Sequence, residues 1–349
     1  MKTSLPIVYP RIDETSLEGV RDVLISVPFE HLNHAHTLQV SNALYEGART
    51  SSKKALVPSG IGDAWLPGYY AAFISDKAQT PFMLSLLRIF RKIRKEYGFD
   101  SDRYMEFLVA YVQGIPYDFE KTASLDTAPR FPIETVVDNT GICSDKSILL
   151  AALLSTEGYA CAILHFGRDQ HAAVGIPAPV GYDFDKCGYV VIETTAVSYI
   201  GGLPISPDGS QNLHRPKVIP IGNGTKTYSA IRDVARIHAV MNELKEKLKA
   251  DGTLAYELTR LQIAITSQTE RLRQMKIDLE SGKLSADEDD ILRPEAHTLL
   301  LKLQQTIRQY NALAAEFSQA RELMEFIHHN RLNRATVVKK IYYHDHTAR

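Results

Sequence analysis

The sequence predicts an α+β core built on an antiparallel sheet, followed by an α-helical coiled-coil hairpin. Three observations carry that prediction. A strongly apolar helical run, residues 143–157, is followed by short β-rich runs separated by turn residues, the order that gives an antiparallel sheet. Beyond residue 250 the apolar residues recur at alternating spacings of four and three, a heptad seam. The 349 residues are 44% hydrophobic and 23% charged, ordinary globular composition with enough apolar side chains for two domains or one elaborated domain.

Taken in order, residues 1–80 read as an irregular extension, with short helical patterns near 16–24 and 36–47, that packs on the core rather than covering a cleft. The core is expected over 81–225. Its first helix, from "PFMLSLLRIFRKIRKEYGF", places Met83, Leu86, Leu87, Ile89, Phe90 and Ile93 at helical spacing and ends at Gly98. Asp102 is placed to cap a second helix, "RYMEFLVAYVQGI". After the 143–157 helix, stopped by Gly158, strands are expected at 160–166, 171–176 and 189–196, joined by turns such as "GRDQ" and "GYDFDKCG". A further strand, 217–222, is weakened by Pro220. A helical region, 226–330, begins with a helix at about 228–250. Its first seam is Leu254, Leu258, Leu261, Ile265, Gln268, Leu272, Met275 and Leu279, and "SGKLSADEDD" interrupts it. The second run includes Leu300, Leu303, Ile307, Tyr310, Leu313, Phe317, Met324 and Ile327, so two long helices should pair as an antiparallel hairpin. The tail, 331–349, offers one more strand over 336–344.

Bulk properties exclude several classes. A net charge of −1 gives no global field for nucleic acid or for an anionic membrane surface. The apolar runs are too short to span a bilayer, and the first residues lack the apolar stretch of a secretory signal. Three cysteines, Cys143, Cys161 and Cys187, with no paired spacing argue against a disulfide scaffold or a zinc ribbon, and a reducing cytoplasm is the expected compartment. The "HH" pair at 328–329 and the "YHDH" tail hold metal-capable groups without a ligand spacing.

The candidate site begins with "NTGICSDKSILLAALLSTEGY", which sets Cys143 after a glycine at the mouth of an apolar helix. Unpaired N–H groups and the macrodipole favour negative charge there, and so a thiolate. His171 opens the next-but-one element, 28 residues on, and Glu193 sits inside the apolar run of a neighbouring strand. A carboxylate beside an imidazole on adjacent strands can fix its tautomer, so Cys143, His171 and Glu193 have the order nucleophile, base, orienting acid. Cys161, within a strand pattern, reads as core, Cys187 as an incidental loop thiol, and His165 as a packing or surface residue.

The stretch "RFPIETVVDNTGICSDKSILLAALLSTEGYACAILHF", with "HAAVGI" and "YVVIETTA" after it, resembles the transglutaminase-like superfamily, a branch of the papain-like thiol enzymes, and its microbial members most. The resemblance covers about residues 103–222 and implies a catalytic helix packed on an antiparallel sheet. It implies Cys143 as nucleophile, His171 as general base, and Glu193 at the place where the family more often has Asp. Asp145 matches the family's acid two residues past the cysteine and reads as structural, and Glu134 as positioning the approach to the helix. Papain-like enzymes use an upstream glutamine as oxyanion donor, and "YVQGIPYDFE" offers Gln113 beside the Cys143 backbone N–H. Such a set performs acyl transfer through a thioester: to water in a protease, peptidase or amidase, to an amine in a transglutaminase. Hydrolysis of a protein or peptide substrate is the expected activity. The alternatives are a protein-glutamine acyltransferase, that is a transglutaminase, and a non-catalytic peptide-binding or scaffold module with the hairpin as interface or self-association device. No cofactor is implied; some relatives use calcium, but no EF-hand-like loop is present.

Overall fold

The structure, a computed structural model, describes residues 6–124, 128–203, 213–221, 224–249 and 252–347. It is mixed α/β with antiparallel sheets and a long C-terminal helix, and it divides into two compact units: residues 1–236 with 331–336, and residues 237–330 with 337–349.

The first unit opens with a β-hairpin, β1 (Val20–Phe29) and β2 (Leu32–Ser41), where helical turns are expected near 16–24 and in the first part of 36–47. Val23, Ile25, Val27 and Phe29 are buried while Leu24, Ser26 and Pro28 face out, so period two prevails. Phe29 pairs directly with Leu32, which leaves a two-residue loop of Glu30 and His31, both at positive φ (48° and 69°). That turn type usually carries Asn-Gly, so nothing in the local sequence announces it. Arg103 clamps the Glu30 carboxylate from below, its Nε 2.9 Å from Oε1.

Helices α1 (Asn42–Thr50), α2 (Leu66–Ile74), α3 (Thr80–Glu96) and α4 (Ser101–Gly114) follow. The cap of α4 is Asp100, which accepts from Arg103 N at 2.8 Å, and not Asp102, whose carboxylate accepts from Ser229 N at 2.9 Å. Both aspartates precede the apolar run; the long-range partner decides between them. Short helices α5 (Phe119–Ala123) and α6 (Pro132–Asp138) lead to α7 (Cys143–Thr156). Residues 147–154 of α7 are all buried, so this helix is central to the core and has no polar face.

The second sheet has the order β5-β4-β3-β6, all antiparallel: β3 (Cys161–Phe166), β4 (His171–Pro177), β5 (Tyr189–Ile192) and β6 (Lys217–Ile221). The expected strand 189–196 ends at Ile192, where the chain leaves the ladder so that the Glu193 carboxylate can accept from Thr195 N. The end of the expected strand at Gly222 lies outside the described residues. Pro220 is tolerated because β6 is an edge strand. Helix α7 packs across β3 and β4, with α2, α4 and α6 around it.

Helix α8 (Ile231–Leu248) runs into the second unit, which contains α9 (Thr253–Glu280) and α10 (Ala286–His329). The two pack as an antiparallel pair, with Arg271 of one bonded to Glu295 of the other. Every expected seam residue of α9 is buried or half-buried, whereas Tyr256, Ile263 and Ile277 face out. On α10 the covered line is Leu292, Ala296, Leu299, Leu303, Thr306, Tyr310, Leu313, Phe317, Ala320, Met324 and Ile327. Leu300 and Ile307, expected in the seam, are exposed, displaced by Leu299 and Thr306 one residue earlier. The interruption is only residues 281–285: Ser285 caps α10, its hydroxyl accepting from Glu288 N, and the acidic run enters the first helical turn, where the macrodipole favours it. The tail is helix α11 (Arg334–Thr347), not a strand; Val337 and Ile341, four residues apart, are its buried positions. No helix among the described residues is long and apolar enough to cross a membrane.

Candidate active site

Cys143 is the first residue of α7, and its position is fixed from beneath by Asp145. This carboxylate is wholly buried and accepts from Ile142 N (3.1 Å), Arg130 N (2.8 Å) and Lys121 Nζ (2.9 Å to each oxygen). A buried carboxylate must find such partners, so it behaves here as a structural clamp on the helix start. Gly141 belongs to the same device: a Cβ there would lie 3.0 Å from the Asp145 Cβ and 3.2 Å from the Thr135 Cγ2. Glu134 plays the corresponding part for α6, accepting from Phe131 N at 2.9 Å and pairing with Lys53 at 2.9 Å.

One hydroxyl pair ties the three site elements together. Ser147 Oγ, one turn along from Cys143, donates to Ala172 O (3.0 Å) and lies 3.2 Å from Thr194 Oγ1, all buried. Ala172 follows His171 and Thr194 follows Glu193, so the contact fixes the spacing of helix and strands one residue from each group that carries chemistry.

The structure brings Cys143, His171 and Glu193 together. His171 Nε2 lies 3.0 Å from Glu193 Oε2, and the charge of Cys143 acts on the same ring. With Nε2 engaged by the carboxylate, Nδ1 is the nitrogen left for sulfur. Phe166, the cross-strand partner of His171, lies against its ring at 5.9 Å between centroids. The second Glu193 oxygen accepts from Thr195 N (2.6 Å) and Thr195 Oγ1 (2.5 Å), so the carboxylate cannot rotate without losing both. Burial opposes the charged imidazole, but the bonds and charges of Cys143 and Glu193 outweigh it and hold His171 up at about 10. Burial likewise opposes the Glu193 carboxylate, and His171 and Thr195 more than offset it, keeping it below the usual glutamate range.

Gln113 does not stand as an oxyanion donor. Its amide nitrogen donates to Glu193 O (2.8 Å) and Ser198 O (3.1 Å), and its oxygen accepts from Ser198 N (3.3 Å). Only 4% exposed, it is a brace for the segment that carries Glu193. The N–H groups of the first turn of α7 have no intrahelical acceptor, so the Cys143 N–H is the donor that remains from the expected pair.

Sequence reasoning missed several neighbours. Lys146 is fully buried, donating to Ile115 O (2.6 Å) and Gln113 O (3.3 Å); burial pulls its amine down to about 8 against the opposing charge of Glu193. Tyr70, from the N-terminal region, is buried and bonded to His165 Nδ1 at 3.0 Å. Burial raises its phenol, and the Cys143 charge raises it further. Tyr117 is raised first by burial as well, with the charges of Cys143, Asp145 and Glu193 adding to it. No local pattern marks these residues; "ETT" alone could have signalled Thr195, since a side chain commonly accepts from the N–H two residues on. Cys161 is core, 3% exposed, and the Cys187 sulfur lies 3.5 Å from Tyr189 O. Among the described residues no group of three His, Cys, Asp or Glu could hold a metal ion. A scan of protein-family models and searches of curated proteins and of solved structures return no match to this chain.

Proposed function

We propose that the chain is a cysteine-dependent acyl-transfer enzyme of transglutaminase-like type, which hydrolyses a peptide or amide bond through a Cys143–His171–Glu193 triad. The observation that carries this reading is the His171–Glu193 pair, with Glu193 fixed in turn by Thr195, beside Cys143 at the start of α7, whose charge acts on the His171 ring. The Cys143 thiolate attacks the carbonyl carbon, and the oxygen that gains charge accepts from the Cys143 N–H. The carbon–nitrogen bond breaks, His171 gives its proton to the departing amine, and a thioester remains. Water then attacks the thioester while His171 takes its proton; the carboxylic acid leaves and the thiolate–imidazolium pair is restored. Transfer to an amine would use the same groups, and water requires no dedicated acceptor site. The paired helices α9 and α10 are read as a coiled-coil hairpin for self-association or partner capture.

The test is labelling and turnover. Iodoacetamide should modify Cys143 ahead of Cys161 and Cys187, and a thiol-directed probe in lysate should label the wild type but not Cys143→Ala. Proteins that accumulate in a Cys143→Ala strain would be the substrates. Undiminished turnover in Cys143→Ala would end the proposal.

A further inference from the structure

Beside the candidate triad lies a cleft of about 620 Å³ whose walls include His165 and Phe166 of β3 and the turn Gly167–Asp169. It borders the site through Phe166, which lies against the His171 ring. The far wall carries Arg215 and Lys217.

The charges in this cleft do not cancel. Its two carboxylates are already engaged: Asp63 pairs with Lys217 at 3.4 Å, and Asp169 holds both the ring (2.8 Å) and the backbone N–H (3.0 Å) of His214. Arg215 donates one N–H to Lys186 O at 3.0 Å, a contact that orients its guanidinium and leaves its charge intact. Arg168 has no hydrogen bond or ion pair among the described residues. Two guanidiniums therefore face one concave space with no carboxylate of their own among the described residues, and a guanidinium fork matches carboxylate and phosphate oxygens.

We propose that this cleft is the subsite for an anionic group, a carboxylate or a phosphate monoester, carried by the acyl donor whose carbonyl Cys143 attacks. The inference rests on the acyl-transfer reading above and adds the substrate's charge to it.

The test uses peptidyl acyloxymethyl ketones that alkylate thiols and differ at one position, carrying Glu, phosphoserine or Gln at each of three successive places. The readout is the rate of Cys143 modification for each anionic probe relative to its Gln counterpart, measured within one protein so that any common change in thiol reactivity cancels. At low ionic strength one register should favour an anionic probe by about fivefold or more, the effect of one charge-assisted contact. Charge reversal in Arg168→Glu/Arg215→Glu should bring that ratio to one or below, and added salt should shrink it in the wild type. A preference for Glu over phosphoserine assigns a carboxylate, and the reverse a phosphate. Equal rates for all three probes, or a preference that survives charge reversal, overturn the subsite while selective iodoacetamide labelling of Cys143 preserves the triad. Loss of that selective labelling would remove the triad and the subsite together.

Discussion

Glu193 receives two hydrogen bonds from Thr195 on one oxygen and meets His171 on the other, so each residue of the line is oriented by the next. Removing either end of the reactive pair, by Cys143→Ala or His171→Ala, is expected to lower kcat/KM by about 10³-fold or more. Glu193→Gln keeps the shape and removes the charge that favours the imidazolium; it should lower kcat with little change in KM. If the proposed acyl transfer holds, the alkaline limb of activity, set by loss of the His171 proton, is expected near pH 10 rather than near 6.5. Stability follows the same proton. His171 holds it more tightly folded, at about 10, than unfolded, at 6.5, so its contribution is full below pH 6.5 and is lost as pH rises through about 10. Glu193 acts at the other end: its contribution is full above 4.5 and is lost as pH falls through its lower folded value. The wild-type Tm should therefore fall between pH 6.5 and 10 more steeply than that of His171→Ala.

At the scale of elements, the lock between α7, β4 and the segment after β5 is a single serine. Ser147→Ala leaves Ala172 O and Thr194 Oγ1 without their buried partner, at a cost of about 1–3 kcal/mol. A lower Tm together with slower iodoacetamide labelling of Cys143 would check this; a lower Tm alone would separate stability from site geometry. On the helical pair, Met275 is 6% exposed and Ile263 is 65% exposed. Met275→Glu should destabilise by about 2 kcal/mol or more, and Ile263→Glu should stay within about 0.5 kcal/mol, in denaturant titrations. The seam of α9 was legible because its residues are flanked by polar ones. On α10 "TLLLKLQQTI" offers three leucines in a row, and only packing chooses Leu299 over Leu300 and Leu301. The tail misled for a related reason: "TVVKKIYY" has strand-like residue types, yet Val337 and Ile341 are buried at helical spacing.

The whole chain carries 40 basic and 41 acidic side chains, a net of −1, so repulsion between copies is weakest near neutral pH. Solubility should pass through its minimum there and rise on either side, which precipitation measured across pH would check. By itself the sequence determined the central helix, the four strands of the second sheet, the long paired helices and the order Cys143, His171, Glu193. These are local periodicities and local chemistry, and one chain segment suffices to express them. Only the tertiary structure decided the hairpin of residues 20–41, the bond between Tyr70 and His165, the commitment of Gln113 to the Glu193 segment and the cationic cleft next to His171. Each of these depends on which distant groups meet. An amide or guanidinium takes its role from the partner that folding brings within about 3 Å, and no spacing along the chain records that partner.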